Sequence, residues 1–346
     1  MHKASLVVSW IGRNELFQAD HPRNRDSVFA PWILLRERLL QHGIELNTSD
    51  VNQGAPVAFE LHLDAQQLTV PGAPAYLMLF ETPAICPSNR LDSSMRARYR
   101  KIFAWNDALV DGEKVIKYNL PCFQVSVPEV TGFTGRPRLC CLISGNKMSR
   151  LTDPGELYSE RLRTIRWFEK HAPGDFDLYG TNWDSPPRRR GLLGKLEKNL
   201  WRHVLKPLGV KPFPSYRGRL EHKHATLQET RFSICYENMQ GLPGYFTEKI
   251  FDSFTAGCVP VYWGASNVTE SIPAGCFLDR RQFKDTGEVY QRMKTMSEDE
   301  FVTCQQNICH FLRGSVAESF GFDAFARKVS DTIIQDLDAA GLRQSR

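Results

Sequence analysis

The sequence of 346 residues predicts an α/β protein with two domains, each a parallel sheet covered by helices. Its length fits two domains of ordinary size, and a hydrophobic content of 42% is enough for two packed cores. Short apolar runs alternate with helical patterns through the first third of the chain, and the same alternation begins again after residue 138. Because strands that alternate with helices pair in parallel, this rhythm predicts two doubly wound sheets.

The N-terminal domain is predicted over residues 1–135. Its helix covers Pro31 to Leu40, where apolar residues recur at three- and four-residue spacing, and His42-Gly43 ends it. Four apolar runs bounded by turn residues predict its strands, at Leu6 to Trp10, Val57 to Leu63, Ala75 to Phe80 and Lys101 to Trp105.

The C-terminal domain is predicted over residues 136–346, with the last helix free to pack back on the N-terminal domain. The segment from Thr131 to Arg138 is rich in Gly, Pro and Arg and marks the junction. Strands are predicted at Leu139 to Ile143, Phe176 to Tyr179, Phe232 to Tyr236 and Cys258 to Trp263, and helices at Glu156 to His171 and Thr247 to Thr255.

Composition narrows the class of protein. No stretch approaches the ~20 apolar residues of a membrane-spanning helix, and the first residues lack the pattern of a secretory signal. We therefore expect a cytoplasmic protein. The nine cysteines contain no C-x-x-C pair, which favours buried reduced thiols over a zinc site or a disulfide framework.

Residues 188–219 form a basic stretch in the C-terminal domain. It carries ten Lys or Arg against the single acid Glu197. Its apolar residues lie along one helical side, namely Leu192, Leu193, Leu196, Leu200 and Val204. Two interpretations are open: attachment to an anionic membrane surface or acidic partner, or an ordinary surface helix whose leucines pack on their own domain.

The segment from Phe232 to Asp252 has the pattern of a strand, a glycine-rich turn and a helix. Thr247 can cap that helix, whose free amides and positive dipole end suit a phosphate or diphosphate. Lys249 adds a positive charge there, and Glu248 adds an acceptor for a hydroxyl. The pattern favours a ligand with both phosphate and sugar hydroxyls, although ordinary N-capping with a surface lysine also produces it. Neither a Walker A pattern nor G-x-G-x-x-G is present.

Three consecutive segments resemble the hallmark stretch of the α-1,3/4-fucosyltransferases, glycosyltransferase family 10. They are Phe232 to Asn238, Gly244 to Asp252 and Ala256 to Gly264, continued by Ile272-Pro273 and Cys276-Phe277. Weaker similarity is present at Phe80 to Pro83 and at Phe103 to Asp107. The resemblance, to a soluble bacterial-type member, implies a GT-B fold: two Rossmann-like domains facing each other across a cleft, with GDP-β-L-fucose held mainly by the C-terminal one.

The resemblance also implies donor-binding residues. Tyr245, Glu248 and Lys249 become donor contacts within a run that includes Thr247, and Glu248 is the expected partner of fucose or ribose hydroxyls. Asn238 matches the asparagine that precedes this run in the family.

A Ser-Asn pair and a later arginine in the family bind the diphosphate. Ser144 and Asn146 fit the pair only with an inserted glycine between them. We assign the arginine to Arg161, with Arg163 and Arg166 as rivals. An arginine is expected because a bidentate cation can neutralise charge on the departing GDP.

The resemblance further implies that Glu81 is the general base of an inverting transfer of fucose to an acceptor hydroxyl, O3 of GlcNAc or glucose. From the residues alone, a carboxylate that caps a turn after a strand is the alternative. The expected acceptor is an oligosaccharide or a lipid-linked saccharide. With the basic stretch on an anionic membrane, the enzyme would act in the cytoplasm, on the inner face of the membrane.

Other interpretations carry less support. Asp175-Phe176-Asp177 matches the D-x-D metal signature of another glycosyltransferase class, but a solvated turn at the start of a strand is favoured. No metal is required for the expected mechanism, although a divalent cation could help GDP leave. His222 and His224 are expected on the surface. Two alternatives stay open: a GT-B transferase with another nucleotide sugar, and a non-catalytic binder of nucleic acid or anionic surfaces. The second leaves the 244–252 turn unexplained, so no nucleic-acid partner is expected.

Overall fold

The computed structural model describes residues 1–124, 126–149, 153–187 and 191–342. They form two units. The first comprises Met1–Gln124, Pro243–Tyr245 and Ser315–Arg346, and the second comprises Val125–Leu242 and Phe246–Gly314. The chain thus passes into the second unit earlier than the sequence boundary at residue 135, and its C-terminal residues return to the first.

The first unit is built on six parallel strands: β1 (His2–Val7), β2 (Ile44–Thr48), β3 (Glu60–Leu63), β4 (Ala75–Leu79), β5 (Lys101–Ala104) and β6 (Val115–Lys117). Their order in the sheet is β2-β1-β3-β4-β5-β6. Helices of this part of the chain are α1 (Ala30–Gln41), α2 (Ser49–Asn52) and α3 (Ser93–Arg98).

The second unit is built on another six parallel strands: β7 (Arg138–Ile143), β8 (Phe176–Tyr179), β9 (Tyr216–Gly218), β10 (Thr230–Tyr236), β11 (Val259–Trp263) and β12 (Leu278–Asp279). Their order is β12-β11-β10-β7-β8-β9, so the direction of winding reverses between β7 and β10. Its helices are α4 (Tyr158–His171), α5 (Gly191–Leu200), α6 (Lys223–Gln228), α7 (Glu248–Thr255), α8 (Val268–Ser271), α9 (Thr286–Thr295) and α10 (Glu298–Leu312), and a π-helical turn at Trp201–Leu205 extends α5.

Two C-terminal helices, α11 (Ser315–Glu318) and α12 (Phe322–Ala339), belong to the first unit. Helix α12 packs beside α1. Its Asp336 is fastened to the first sheet, because the Tyr76 hydroxyl and the Arg100 Nε each donate a hydrogen bond to its Oδ2 at 2.6 Å. This helix therefore completes the core of a domain whose strands lie more than 200 residues earlier in the chain.

The prediction of two Rossmann-like, parallel-sheet domains is confirmed. Every predicted strand is present, but the first lies earlier than expected. It spans His2–Val7 because its pairing with β2 begins at His2 opposite Ile44, whereas Trp10 has left the sheet and is 51% exposed. The strands missed by the sequence patterns, β2, β6, β9 and β12, are short or polar.

The structure also tests the expectations about the cysteines and about membrane-spanning helices. None of the nine cysteines forms a disulfide, as expected for reduced thiols. Within the described ranges, no helix combines the length and the apolar character that crossing a bilayer requires.

Replacing Asp336 with Asn should destabilise the first unit by about 1–3 kcal/mol at neutral pH, because hydrogen bonds to a charged acceptor are lost. Burial raises the pKa of Asp336, but the hydrogen bonds from Arg100 and Tyr76 outweigh it and leave the pKa below its usual value. The stabilisation is therefore complete above the unfolded pKa and is lost as the pH falls through the lower folded pKa. Urea unfolding of both proteins from pH 7 to pH 3 tests this, and a difference independent of pH would contradict it.

Candidate active site

Several predicted donor residues lie at the edge of the second sheet where the strand order reverses. In open parallel sheets, ligands bind outside the carboxyl ends of the strands at such a reversal. The two strands beside it are β7, which Ser144 and Asn146 follow, and β10, which Asn238 follows. Fold topology alone therefore brings these three residues to one edge.

Helix α4 adds Arg161 to this edge. The side chain is buried, and its Nε and Nη2 donate to the carbonyl oxygen of Tyr236 at 3.1 and 2.6 Å. Its Nη2 also donates to Asn238 Oδ1 at 3.0 Å. The two rival arginines point elsewhere: Arg163 pairs with Glu160, and Arg166 pairs with Glu169 at 2.7 Å. Arg161 is thus the one of the three that contacts the carboxyl end of β10.

The N-terminus of α7 is fastened to the same strand by a buried network. Thr247 caps the helix as predicted, because its hydroxyl accepts a hydrogen bond from the Lys249 backbone amide at 3.5 Å. The hydroxyl donates to Glu237 Oε2 at 2.7 Å and accepts from Lys249 Nζ at 2.8 Å. Glu237 is fully buried and also accepts from the Thr247 amide at 3.0 Å and from Lys249 Nζ at 3.1 Å.

Glu237 is a site residue that sequence reasoning missed. It lies within the matched motif, beside Asn238, but was given no role. The sequence feature that could have revealed it is an acidic residue directly after the apolar strand β10. A carboxylate buried at such a position requires a cation or several hydrogen-bond donors. The structure supplies both, as Lys249 and Thr247.

The charges of this cluster are set by their neighbours. Burial lowers the pKa of Lys249, but the carboxylates of Glu237 and Glu248 outweigh it and raise the pKa, so the amine stays protonated. The nearby charge of Arg161 acts in the opposite direction. Burial raises the pKa of Glu248, but the charges of Lys249 and Lys223 outweigh that effect and lower the pKa below its usual value. This half-exposed carboxylate therefore stays ionised. The edge therefore presents two cations and one ionised acceptor.

Ser144 and Asn146 follow β7 but differ in what they contact. The Ser144 hydroxyl oxygen is buried and has no hydrogen-bond partner among the described residues. The Asn146 side-chain amide donates to the carbonyl oxygens of three residues in the loop after β8: Asn182 at 3.0 Å, Ser185 at 3.1 Å and Pro186 at 3.2 Å. Asn146 therefore fixes that loop against the sheet edge.

Gly180 allows β7 and β8 to end close together. Its φ is +126°, and a Cβ there would lie 1.8 Å from the Ser144 carbonyl oxygen. A side chain at this position would push the Ser144 segment away from the edge.

Glu81 lies at the carboxyl edge of the first sheet, after β4, and is half-buried. Its amide donates to Asp64 Oδ1 at 2.9 Å, and its carbonyl oxygen accepts from Asn89 Nδ2 at 2.8 Å. Asn89 Nδ2 also donates to Asp64 Oδ1 at 2.6 Å. The backbone of Glu81 is thus fixed on both sides by a pair of polar residues, of which Asp64 was missed by the sequence patterns.

Tyr245 belongs to the first unit, whereas Thr247, Glu248 and Lys249 belong to the second. Its buried ring packs against the ring of Trp105, with 4.6 Å between centroids. The adjacent Pro243 carbonyl oxygen accepts from the Asp107 amide at 3.1 Å. Tyr245 therefore belongs to a different unit from Arg161 and Lys249.

The D-x-D carboxylates are engaged in ion pairs at the amino end of β8, the opposite edge from the predicted donor residues. Asp175 contacts Lys294 at 3.2 Å, and Asp177 contacts Arg138 at 2.5 Å and Arg217 at 2.6 Å. This agrees with the interpretation of the motif as the start of a strand. His222 and His224 are exposed, as expected. Over the described ranges, no group of three or more His, Cys, Asp or Glu side chains could hold a metal ion.

Residues 178–304 match the sequence model of glycosyltransferase family 10 (fucosyltransferase), C-terminal part. This stretch is a family 10 domain. It contains β10, α7 and the Glu237, Thr247 and Lys249 network. The resemblance drawn from the motif is therefore confirmed.

The chain also has similar sequences among the fucosyltransferases. The chain is 33% identical over 75 residues to an α-(1,3)-fucosyltransferase, FucT, of Helicobacter pylori, which is 22% of this chain and 16% of that protein. It is 32% identical over 79 residues to an α-(1,4)-fucosyltransferase of Arabidopsis thaliana, 23% of this chain and 20% of that protein. These matches thus span a fifth or less of the length of each relative.

Solved structures share the fold over nearly the whole chain. An α1,3-fucosyltransferase crystallised with GDP-fucose superposes with a TM-score of 0.52 at 12% identity, covering 100% of this chain and 91% of that one. A glycosyltransferase from Rickettsia africae gives 0.54 at 10% identity, covering 97% and 98%. At these identities the likeness shows the fold, which is GT-B with two Rossmann-like domains.

Replacing Glu237 with Gln should destabilise the family 10 domain by about 3 kcal/mol, because Lys249 then loses its buried counter-charge. Lys249→Met should cost a similar amount, since it leaves Glu237 buried and unpaired. The double variant should lose clearly less than the sum of the two single variants. Denaturant unfolding of the four proteins measures this coupling.

The exposed pair Glu318 and Arg327, 3.3 Å apart, is the matched control. Its cycle with the same substitution types should give a coupling below about 1 kcal/mol. Additive losses at Glu237 and Lys249 would contradict the buried network.

Proposed function

We propose that this protein transfers L-fucose from GDP-β-L-fucose to a hydroxyl of an oligosaccharide, O3 of GlcNAc or glucose, with inversion at the anomeric carbon. The observation that supports this most is the pair of cations, Arg161 and Lys249, at the strand-order reversal of a family 10 domain. The family match supports the chemical class of the donor, and the cluster contains groups suited to binding it.

The donor half of the proposal follows from the charges. Arg161 and Lys249 supply positive charge, and the first amides of α7 supply donors, which together suit a diphosphate. Negative charge accumulates on GDP as the bond to fucose breaks. Both cations are already held in place by Tyr236 and Glu237, so stabilising that charge requires little reorganisation. We therefore propose that no metal ion is required and that a divalent cation would at most assist.

The sugar end of the donor requires hydrogen-bond acceptors. Glu248 is ionised and half-exposed beside Lys249, with its Oε1 3.6 Å from Nζ. In our proposal its carboxylate accepts hydrogen bonds from fucose or ribose hydroxyls. Asn238 and the unpartnered Ser144 hydroxyl would add polar contacts at the same edge.

Glu81 is the proposed general base. Its carboxylate takes the proton of the acceptor hydroxyl while that oxygen attacks the anomeric carbon from the side opposite GDP. The new C–O bond forms as the bond to the phosphate oxygen breaks, so a β-linked donor yields an α-linked product. The fixing of the Glu81 backbone by Asp64 and Asn89 supports this role, because a base must be held in place to act. We further propose a cytoplasmic enzyme whose acceptor is an oligosaccharide or a lipid-linked saccharide.

GDP in EDTA should raise the melting temperature of the protein more than UDP, CMP or ADP, because a ligand that binds only the native state stabilises it. GDP-fucose should stabilise more than GDP-mannose. Lys249→Ala should weaken GDP binding by on the order of tenfold, since a charge-assisted contact is lost. Lys284→Ala, an exposed lysine of the same unit, is the control and should change nothing. Stronger stabilisation by UDP would contradict the donor and favour another nucleotide sugar.

Glu81→Gln should lower turnover at least about a hundredfold while GDP-fucose still stabilises the protein, because only the proton acceptor is removed. Transfer of labelled fucose to lactosamine and lactose measures turnover. Glu37→Gln, at an exposed position of the same unit, should keep full activity. Unchanged turnover in Glu81→Gln would refute the base assignment and leave the donor site intact.

A further inference from the structure

A helical segment of the second unit, residues 191–211, exposes a row of large apolar side chains. It consists of α5, the turn Trp201–Leu205 and the residues up to Lys211. The exposed side chains include Leu192 (73%), Leu193 (77%), Leu196 (56%), Leu200 (53%), Val204 (46%) and Leu208 (72%). The interpretation in which these leucines pack on their own domain is therefore wrong.

Both ends of this segment are fixed to the domain. Trp183 before it and Phe213 after it are buried and meet edge to face, with 4.8 Å between ring centroids. Asn146 holds the carbonyl of Pro186 before the segment, and the Arg166 guanidinium lies 4.1 Å from the Phe213 ring centroid after it. The segment is thus a protrusion on a closed base, and its exposed leucines do not belong to a loose chain end.

The same protrusion carries a row of positive charge. Lysines and arginines stand at 195, 198, 202, 206 and 211, against the single acid Glu197. Leu192, Leu196 and Leu200 recur every four residues, while the basic residues follow a second row at three- and four-residue spacing. Arg188, Arg189 and Arg190 continue the basic stretch but lie outside the described residues.

Trp201 lies between α5 and the last basic residues. The Lys206 amine is 5.4 Å from its ring centroid. Tryptophan is enriched where the apolar layer of a membrane meets its headgroups, and a lysine there can bury its aliphatic stem while its amine stays in water.

We propose that residues 191–211 bind the anionic surface of a lipid bilayer. The leucines would enter the boundary between headgroups and acyl chains, and the lysines and arginines would contact lipid phosphates. A second copy of this chain would also cover the leucines, but it would bring two basic rows together. A bilayer offers an apolar layer directly beneath a negative surface along the whole segment, which matches both rows at once.

The attachment has a consequence for the enzyme, which rests on the function proposed above. Asn146 connects the base of the protrusion to the sheet edge that carries Ser144, Asn238 and Arg161. A bilayer contact through residues 191–211 would therefore hold the donor site close to the membrane. It would favour an acceptor saccharide carried on a lipid, on the inner face of the membrane.

Flotation with vesicles tests the proposal directly. The full-length protein should float with vesicles of equal parts phosphatidylcholine and phosphatidylglycerol and not with phosphatidylcholine alone. Changing Lys195, Lys198 and Arg202 to Gln should weaken binding by on the order of tenfold to a hundredfold at low salt. Changing Leu193, Leu196 and Leu200 to Ser should remove the binding that persists at high salt, where the charges are screened.

Matched controls change exposed positions of the first unit and the arginine that directly follows α10. They are Lys3, Arg313 and Lys328 to Gln, and Leu40, Val51 and Val316 to Ser. Both control variants should float as the unchanged protein does. GDP stabilisation of every sample reports whether the domain is folded, and it separates a failure of this proposal from a failure of the proposed donor.

Two results would overturn the proposal. One is that the unchanged protein does not float with anionic vesicles, and the other is that the Gln and Ser variants float as well as the unchanged protein does. Light scattering identifies the competing occupant. If the Leu193, Leu196 and Leu200 changes convert a dimer to a monomer without altering flotation, the apolar row is an interface between copies.

Discussion

The candidate donor site depends on one buried carboxylate. Glu237 lies directly after β10, fully removed from solvent, and Lys249 and Thr247 supply the hydrogen-bond donors that a buried carboxylate requires. In return it fixes the cap of α7 and the direction of the Lys249 side chain. Gly264 leaves the space for it, since a Cβ at that position would lie 2.5 Å from Glu237 Cγ. The positions of the α7 terminus and of the Lys249 amine beside it therefore follow from the hydrogen bonds that Glu237 accepts.

A second feature is common to both units: polar side chains fix the backbone at the carboxyl ends of strands. Arg161 holds the carbonyl of Tyr236, and Asn89 holds that of Glu81. Such contacts determine where the neighbouring side chains stand before a substrate arrives, which is the condition for stabilising a transition state without reorganisation. They also explain why the candidate site residues include several that would never touch the substrate.

The strands that sequence patterns missed show where such patterns fail. Strand β2 carries Asn47 and Thr48, which in a linear sequence resemble a loop. Both are buried, because Asn14 donates to Asn47 Oδ1 at 2.8 Å and accepts from the Thr48 amide at 2.8 Å. A polar strand is stable only when its partners come from elsewhere in the fold, so no local pattern predicts it. The apolar strands β4, β5, β7, β8, β10 and β11 were predicted because their burial is visible in their own composition.

The sequence alone determined the local parts of the site: the apolar strand, the glycine-rich turn, the Thr247 cap and Lys249 two residues later. Capping is set by atoms within three residues, so its pattern is present in the sequence itself. Tertiary structure decided which arginine reaches β10, because Arg161 and Tyr236 are 75 residues apart. It also decided that Glu237 neutralises Lys249 and that the leucines of residues 191–211 remain exposed. These outcomes depend on partners brought together only by folding, and spacing along the chain carries no record of such contacts.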